Sequence, residues 1–193
     1  TGWHLKSYWQ AILAAKRIGM PVIVRGDSHL NTPRSFLKKA IKKLVYPIGL
    51  KVFDAALCPG TLTRNYYLHY RFSPEKIFFS PHAIDVDVFS AKGTAAEGLQ
   101  FRSRAGIGTD EVVVLFCGKL MELKRPGDAV AACALLRRNG MDCRLMVAGT
   151  GALAEQIEAT AREVGLPLSL LGFCNQGELP AVYAAADVLV LPS

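Results

Sequence analysis

Apolar residues along this chain fall into short unbroken runs and longer stretches with helical spacing, and the two kinds alternate. Val112 to Phe116 is apolar throughout, too short for a helix and suited to a strand covered on both faces. Pro21–Val24, Asp54–Cys58, Lys76–Ser80, Cys143–Ala148, Leu168–Leu171 and Val188–Leu191 read as further strands. Between them, Leu5–Ile18, Arg34–Val52, Thr61–Tyr70, Gln100–Ala105, Pro126–Arg138, Ala152–Val164 and Glu178–Ala185 predict helices. Gly19 and Gly140 stand where helices end, and Pro126 suits a first helical turn. The 34–52 segment is apolar at Phe36, Leu37, Ala40, Ile41, Leu44 and Val45 and basic elsewhere, which predicts one core face, one basic face and a break at Pro47. Strand and helix alternating at this interval is the pattern of an α/β protein with parallel sheets. From Ser80 to about Gly98 no period is sustained. That interruption predicts two Rossmann-like domains, 1–90 and 99–193, joined by a linker at 91–98.

Composition adds limits. With 193 residues, 51 % hydrophobic and 20 % charged, the chain belongs among compact globular proteins. No apolar run approaches the roughly 18 residues of a membrane span, and no basic-then-apolar leader is evident. The start at Thr1-Gly2-Trp3 and the stop just after an apolar strand are the expectation for a fragment, inactive by itself. Cys58, Cys117, Cys133, Cys143 and Cys174 are odd in number, scattered and without metal-ligand spacing, which favours small core residues in the cytoplasm. The net charge of +7 is uneven. Residues 1–125 hold 19 Lys and Arg against 9 Asp and Glu, a net +10, while 126–193 hold 4 against 7, a net −3. Ser28 to Phe53 has no acid but carries Arg34, Lys38, Lys39, Lys42, Lys43 and Lys51. Such a surface fits anionic lipid, nucleic acid or a phosphorylated substrate.

Candidate chemistry gathers where strands end. Cys117-Gly118 closes the strand from Val112, and Lys119, Lys124 and Arg125 follow at the edge where open α/β sheets bind ligands. Positive charge there points to a phosphate, against the plainer reading of solvated loop lysines. At Val147-Ala148-Gly149-Thr150-Gly151 two glycines join strand to helix, either for a tight bend or to let backbone N–H groups approach a phosphate. The next loop, with Phe173, offers an aromatic beside backbone groups where a nucleobase could dock, or is a connector packed on the core. His29, with Arg25 and Asp27, follows the strand at Val24. Asp85-Val86-Asp87 has metal-site spacing but falls in the predicted linker.

Several of these motifs occur together in one family. Gly118-Lys119-Leu120 through Lys124, VAGTG at 147–151, and Leu171-Gly-Phe followed by the run from Glu178 to Ser193 resemble, in order and spacing, the C-terminal half of GT-B glycosyltransferases of family 4. Lys76-Ile-Phe-Phe-Ser-Pro-His-Ala-Ile-Asp85 with Phe89 resembles the family's interdomain pattern. The resemblance implies a GT-B fold and a retaining glycosyltransferase that moves a sugar from a nucleotide-sugar to a glycan or lipid-linked acceptor. It assigns the donor diphosphate to Lys119 and Lys124, with Arg125 as an alternative cation, and makes Gly118, Gly149, Gly151 and Phe173 further donor-binding residues. His29 matches the family histidine that faces the donor sugar, and Arg25 and Asp27 would shape that cleft. No metal or other cofactor is implied, and nucleic acid is not expected as a partner. Lys119 replaces the family's more usual arginine, and a point charge replaces a bidentate fork. His82 stands where asparagine is common. An acidic motif expected beyond Ser193 would complete the donor site. The basic 34–52 helix implies peripheral contact with an anionic membrane or an acidic acceptor. A GT-B epimerase and a non-catalytic nucleotide or nucleic-acid module are the other readings.

Overall fold

The computed structural model describes residues 5–33 and 35–193. Arg34, counted above in the basic helix, lies outside them. Two compact units emerge, the first up to Ile84 and the second from Asp85 to Ser193. Both are α/β with parallel sheets, as the alternation predicts.

In the first unit, α1 (Lys6–Arg17), β1 (Ile23–Arg25), α2 (Phe36–Gly49), β2 (Ala55–Cys58), α3 (Thr61–His69) and β3 (Ile77–Phe79) build a sheet ordered β1-β2-β3. Val24, Ala56 and Cys58 turn one way and pack with Ile12, Leu50, Tyr66 and Tyr67. Ile23 and Phe78 face the other way and are exposed, and Phe79, though in register with Cys58, is exposed as well. The helices after β1 and β2 meet through an aromatic cluster: Tyr66 and Tyr70 have ring centroids 4.9 Å apart, and Tyr46 of α2 lies 5.0 Å from Tyr70. Each such pair adds about 0.5–1.5 kcal/mol beyond burial.

This cluster corrects the expectation for α2. The helix was expected to bury Phe36, Leu37, Ala40, Ile41, Leu44 and Val45, yet none of its residues is buried; Phe36 is 86 % exposed and Leu44 75 %. What turns inward instead is Tyr46 with Lys42, whose Nζ lies 4.1 Å above the Tyr46 ring centroid and 4.7 Å from that of Tyr66. Cation–π attraction on a partly desolvated lysine offsets part of its burial cost. Nor does Pro47 break the helix. α2 runs through it to Gly49 and tightens into a 3-10 turn at Leu50–Val52, so the proline removes a single backbone bond near the C-terminus.

The second unit contains α4 (Val86–Lys92), α5 (Ala95–Arg104), β4 (Val112–Cys117), α6 (Pro126–Arg138), β5 (Cys143–Ala148), α7 (Ala154–Glu163), β6 (Leu168–Gly172), α8 (Leu179–Ala184) and β7 (Val188–Leu189), with sheet order β6-β5-β4-β7. Successive strand residues enter different cores. Val114, Phe116, Leu145 and Val147 pack with Val130, Ile157 and Ala161 of α6 and α7, whereas Val113, Leu115 and Met146 pack with Phe101, Val182 and Ala185 on the α5–α8 side.

The stretch from Ser80 to about Gly98, read as loop and linker, carries all of α4 and the start of α5. Both are short helices held by caps. Asp85 Oδ1 accepts from Val88 N at 3.0 Å, and Thr94 Oγ1 accepts from Glu97 N at 3.3 Å. Arg102, nearly buried on α5, donates to Ala185 O at 2.7 Å and pairs with Asp187 Oδ2 at 2.5 Å. The same carboxylate accepts from Val113 N at 2.7 Å, so one guanidinium ties α5 to the starts of β4 and β7. Among the described residues no helix is long and apolar enough to cross a membrane.

Candidate functional site

Because β4, β5, β6 and β7 are parallel, their carboxyl ends open on one edge of the second unit. Gly118, Lys119, Lys124, Gly149, Gly151 and Phe173 all follow these ends. The loops after β4 and β5 are knit by backbone bonds: Gly118 N to Ala148 O at 2.9 Å, Leu120 N to Thr150 O at 3.0 Å, and Leu153 N to Leu120 O at 3.2 Å. Gly149 N donates to Gly172 O at 2.7 Å, which adds the β6 loop to the same network.

The glycines have a definite task in this network. A Cβ on Gly149, whose φ is +148°, would stand 1.9 Å from Gly118 O, and one on Gly151 would stand 2.3 Å from Leu120 O. Only hydrogen leaves room for the two loops to touch. Gly149 therefore serves loop-to-loop packing, with its N–H already bonded to Gly172.

Charge is presented on this scaffold. Lys119 and Lys124 are exposed, and among the described residues neither has a carboxylate partner. Lys124 Nζ lies 3.4 Å from Ser193 Oγ, which brings the loop after β4 to the chain beyond β7. Arg125, the alternative cation, adopts φ +50° ahead of α6 and pairs with Asp128 at 2.5 Å. Phe173 is 78 % exposed rather than packed on the core. Beneath the edge, Tyr183 lies 6.4 Å from Phe89, and burial first, then the neighbouring Cys117, pushes its phenol up to about 12. Two ammonium groups held by a rigid loop pair can bind a polyanion such as a diphosphate and stabilise charge that develops on it.

The first unit has its own cluster at the carboxyl edge. Arg25 Nη2 donates to Pro81 O at 3.2 Å and lies 3.5 Å from His82 Nδ1, while His82 Nε2 lies 3.3 Å from Asp27 Oδ1. With a guanidinium facing Nδ1, that nitrogen accepts, and Nε2 carries the proton toward Asp27. His82, left without a role in the sequence, thus joins Arg25 and Asp27. His29 faces elsewhere in the same unit, into a cavity with Lys39, Lys43, Tyr66, His69 and Tyr70. Its Nδ1 is sealed from solvent and has no hydrogen-bond partner. Nothing in the sequence marked Lys39, Lys43, Tyr66 and His69 as neighbours of His29, since they come from α2 and α3.

Comparison with known proteins places this geometry. Residues 99–193 match the family described as glycosyl transferases group 1. A D-inositol 3-phosphate glycosyltransferase of Corynebacterium aurimucosum is 31 % identical over 202 residues, covering 100 % of this chain and 47 % of its own. A 2-deoxystreptamine glucosyltransferase of Streptomyces kanamyceticus is 34 % identical over 116 residues, covering 58 % of this chain and 30 % of its own. Among solved structures, Anabaena Alr3699/HepE in complex with UDP and glucose aligns with a TM-score of 0.71 at 14 % identity, over 95 % of this chain and 49 % of that one. That likeness shows a GT-B fold. The chain spans about half the length of the curated relatives it matches.

Proposed function

Residues 99–193 carry the domain of the glycosyl transferases group 1 family, and on that premise we propose a retaining glycosyltransferase of family 4 that uses a nucleotide-sugar donor. The observation that carries this reading is the pair of lysines, Lys119 and Lys124, without carboxylate partners on the knit loops after β4 and β5. As the bond between the donor's anomeric carbon and the diphosphate oxygen breaks, the nucleoside diphosphate leaves with the electron pair. The ammonium groups stabilise that charge, and no metal is required for it. The acceptor hydroxyl supplies the new glycosidic oxygen and releases its proton. Phe173 offers its exposed ring to the nucleobase. HepE was solved with UDP and glucose, which makes a UDP-sugar the first donor to try.

The acceptor on this reading is a glycan or a lipid-linked glycan handled at the cytoplasmic face of a membrane. α2 supports that placement with an exposed apolar stripe, Leu37, Ile41, Leu44 and Ile48, next to Lys38. Lysines near an anionic bilayer contribute about 1 kcal/mol each, and the stripe would enter the interface. The test is to titrate UDP-, GDP- and ADP-sugars into the protein and into Lys124→Ala. Saturable binding of one donor, weakened on the order of 10-fold by the substitution, is expected. Binding of none, or equal binding by both proteins, would refute the donor site.

A further inference from the structure

The cavity that His29 faces has the makings of a second anion site, distinct from the donor loops. It measures about 480 Å³ and is lined by residues of α2, of α3 and its C-terminal end, and of the segment after β1. Lys39, Lys43, His29 and His69 supply nitrogen, Tyr66 and Tyr70 supply phenols, and no carboxylate lines it. Nor is one near in sequence, because Ser28 to Phe53 contains no acid. Among the described residues neither Lys39 nor Lys43 has an ion-pair partner. One turn of α2 separates these two lysines, so they share a face.

Two further observations point to a ligand. His29 lines the cavity wall, and its Nδ1, sealed from solvent, has no hydrogen-bond partner among the described residues. Lys42, the half-buried cation of α2, donates to the Tyr66 hydroxyl and sits over three tyrosine rings. It thereby keeps positive charge directly behind the cavity wall. Burial, then the adjacent Tyr46, holds the Tyr66 phenol well above its usual range, so it stays a neutral hydrogen-bonding group. Phe36, Leu30 and Ala40 add an apolar part to the wall, beside Thr32. Clustered cations beside an apolar wall fit an anion esterified to a hydrophobic group better than a free sugar, which would need paired donors and acceptors.

We propose that the cavity between α2, α3 and the segment after β1 binds the phosphate or diphosphate ester of the acceptor. Assigning the anion to the acceptor rests on the glycosyl-transfer reading; the anion site does not. The ester can belong to a lipid carrier or to a soluble phosphorylated compound, and the chemistry recognised is the same.

Binding is measured in a Lys119→Ala/Lys124→Ala background, so that the donor loops do not compete for the probe. The probes are farnesyl diphosphate, inorganic pyrophosphate and farnesol. Farnesyl diphosphate should bind, and adding Lys39→Ala/Lys43→Ala should weaken it on the order of 10-fold or more. Removing the same charge from Lys6 and Lys38, which do not line the cavity, should change it less than about 2-fold. Pyrophosphate binding as tightly as farnesyl diphosphate supports a site that reads the phosphates alone, and much weaker pyrophosphate binding supports a lipid-borne ester. Equal loss from both lysine pairs, farnesol binding as well as its diphosphate, or no binding of any diphosphate would overturn the proposal. Lys39 and Lys43 are exposed, so the variants should melt like the parent. Nucleotide-sugar binding by Lys39→Ala/Lys43→Ala, with Lys119 and Lys124 intact, separates failure here from failure of the donor reading.

Discussion

The two parallel sheets of this protein are finished to different degrees. In the second unit every residue from Val113 to Phe116 is buried, and helices cover both sheet faces. In the first, Val24, Ala56 and Cys58 reach a core while Ile23, Phe78 and Phe79 stay exposed, and the helix after β1 turns its apolar stripe outward. The second unit holds its loops by backbone bonds and glycine contacts, which leaves its lysines free to meet a ligand without reorganisation. The first unit sets one half-buried lysine, Lys42, over a tyrosine cluster and exposed Lys39 and Lys43 at the wall of a cavity. A sheet buried on both faces makes a precise platform.

That contrast can be broken by mutation, beginning with the largest effect. Gly149→Ala should destabilise the second unit by on the order of 3 kcal/mol or more, because the methyl would meet Gly118 O at 1.9 Å and the φ of +148° disfavours any side chain; denaturant melts followed by far-UV circular dichroism would measure it. The first unit should show the opposite tolerance at α2. Leu50→Ala, in the core after the helix, should cost about 3 kcal/mol, while Leu44→Ala on the exposed stripe should cost less than about 0.5 kcal/mol and instead weaken binding to vesicles containing anionic lipid. Arg102→Ala should cost about 2 kcal/mol by leaving Asp187 and the Ala185 carbonyl without their partner, with donor binding unchanged at the temperature where the variant stays folded.

The smallest effect belongs to Asp54 in the first unit, whose carboxyl is held below its usual range by the Lys16 hydrogen bond and then by Val22 N–H. A depressed carboxylate contributes stability above its unfolded pKa of about 3.9 and loses it as pH falls through the folded value. Thermal melts should therefore separate Asp54→Asn from the parent near about pH 7, and that gap should shrink near about pH 3.

Much of this was legible in the sequence, and the remainder was hidden for physical reasons. α6 and β5 run over the residues the apolar pattern marks, Pro126–Arg138 and Cys143–Ala148, because a doubly covered sheet leaves little choice of face. α4 and the first turn of α5 were read as loop, since their apolar spacing is weak, while the rest of α5 was expected as a short helix at Gln100–Ala105. Their caps were there to be read, Asp85 ahead of Val86 and a Thr94-x-x-Glu97 spacing. α2 was inverted because periodicity finds an apolar face but not which way it points; Tyr46 and Lys42 decided that through contacts with α3. The loops around Gly118 and Gly149 could be named from spacing. That Gly149 answers to Gly118 O and bonds Gly172 O required the fold.

The central claim is that the donor diphosphate is held by the lysines of the second unit and not by the far more basic first. Isothermal titration of UDP compares two variants with the same loss of charge, Lys119→Ala/Lys124→Ala and Lys39→Ala/Lys43→Ala. The account predicts a loss on the order of 10-fold or more in the former and less than about 2-fold in the latter. Equal losses, or a larger one for Lys39→Ala/Lys43→Ala, would contradict it.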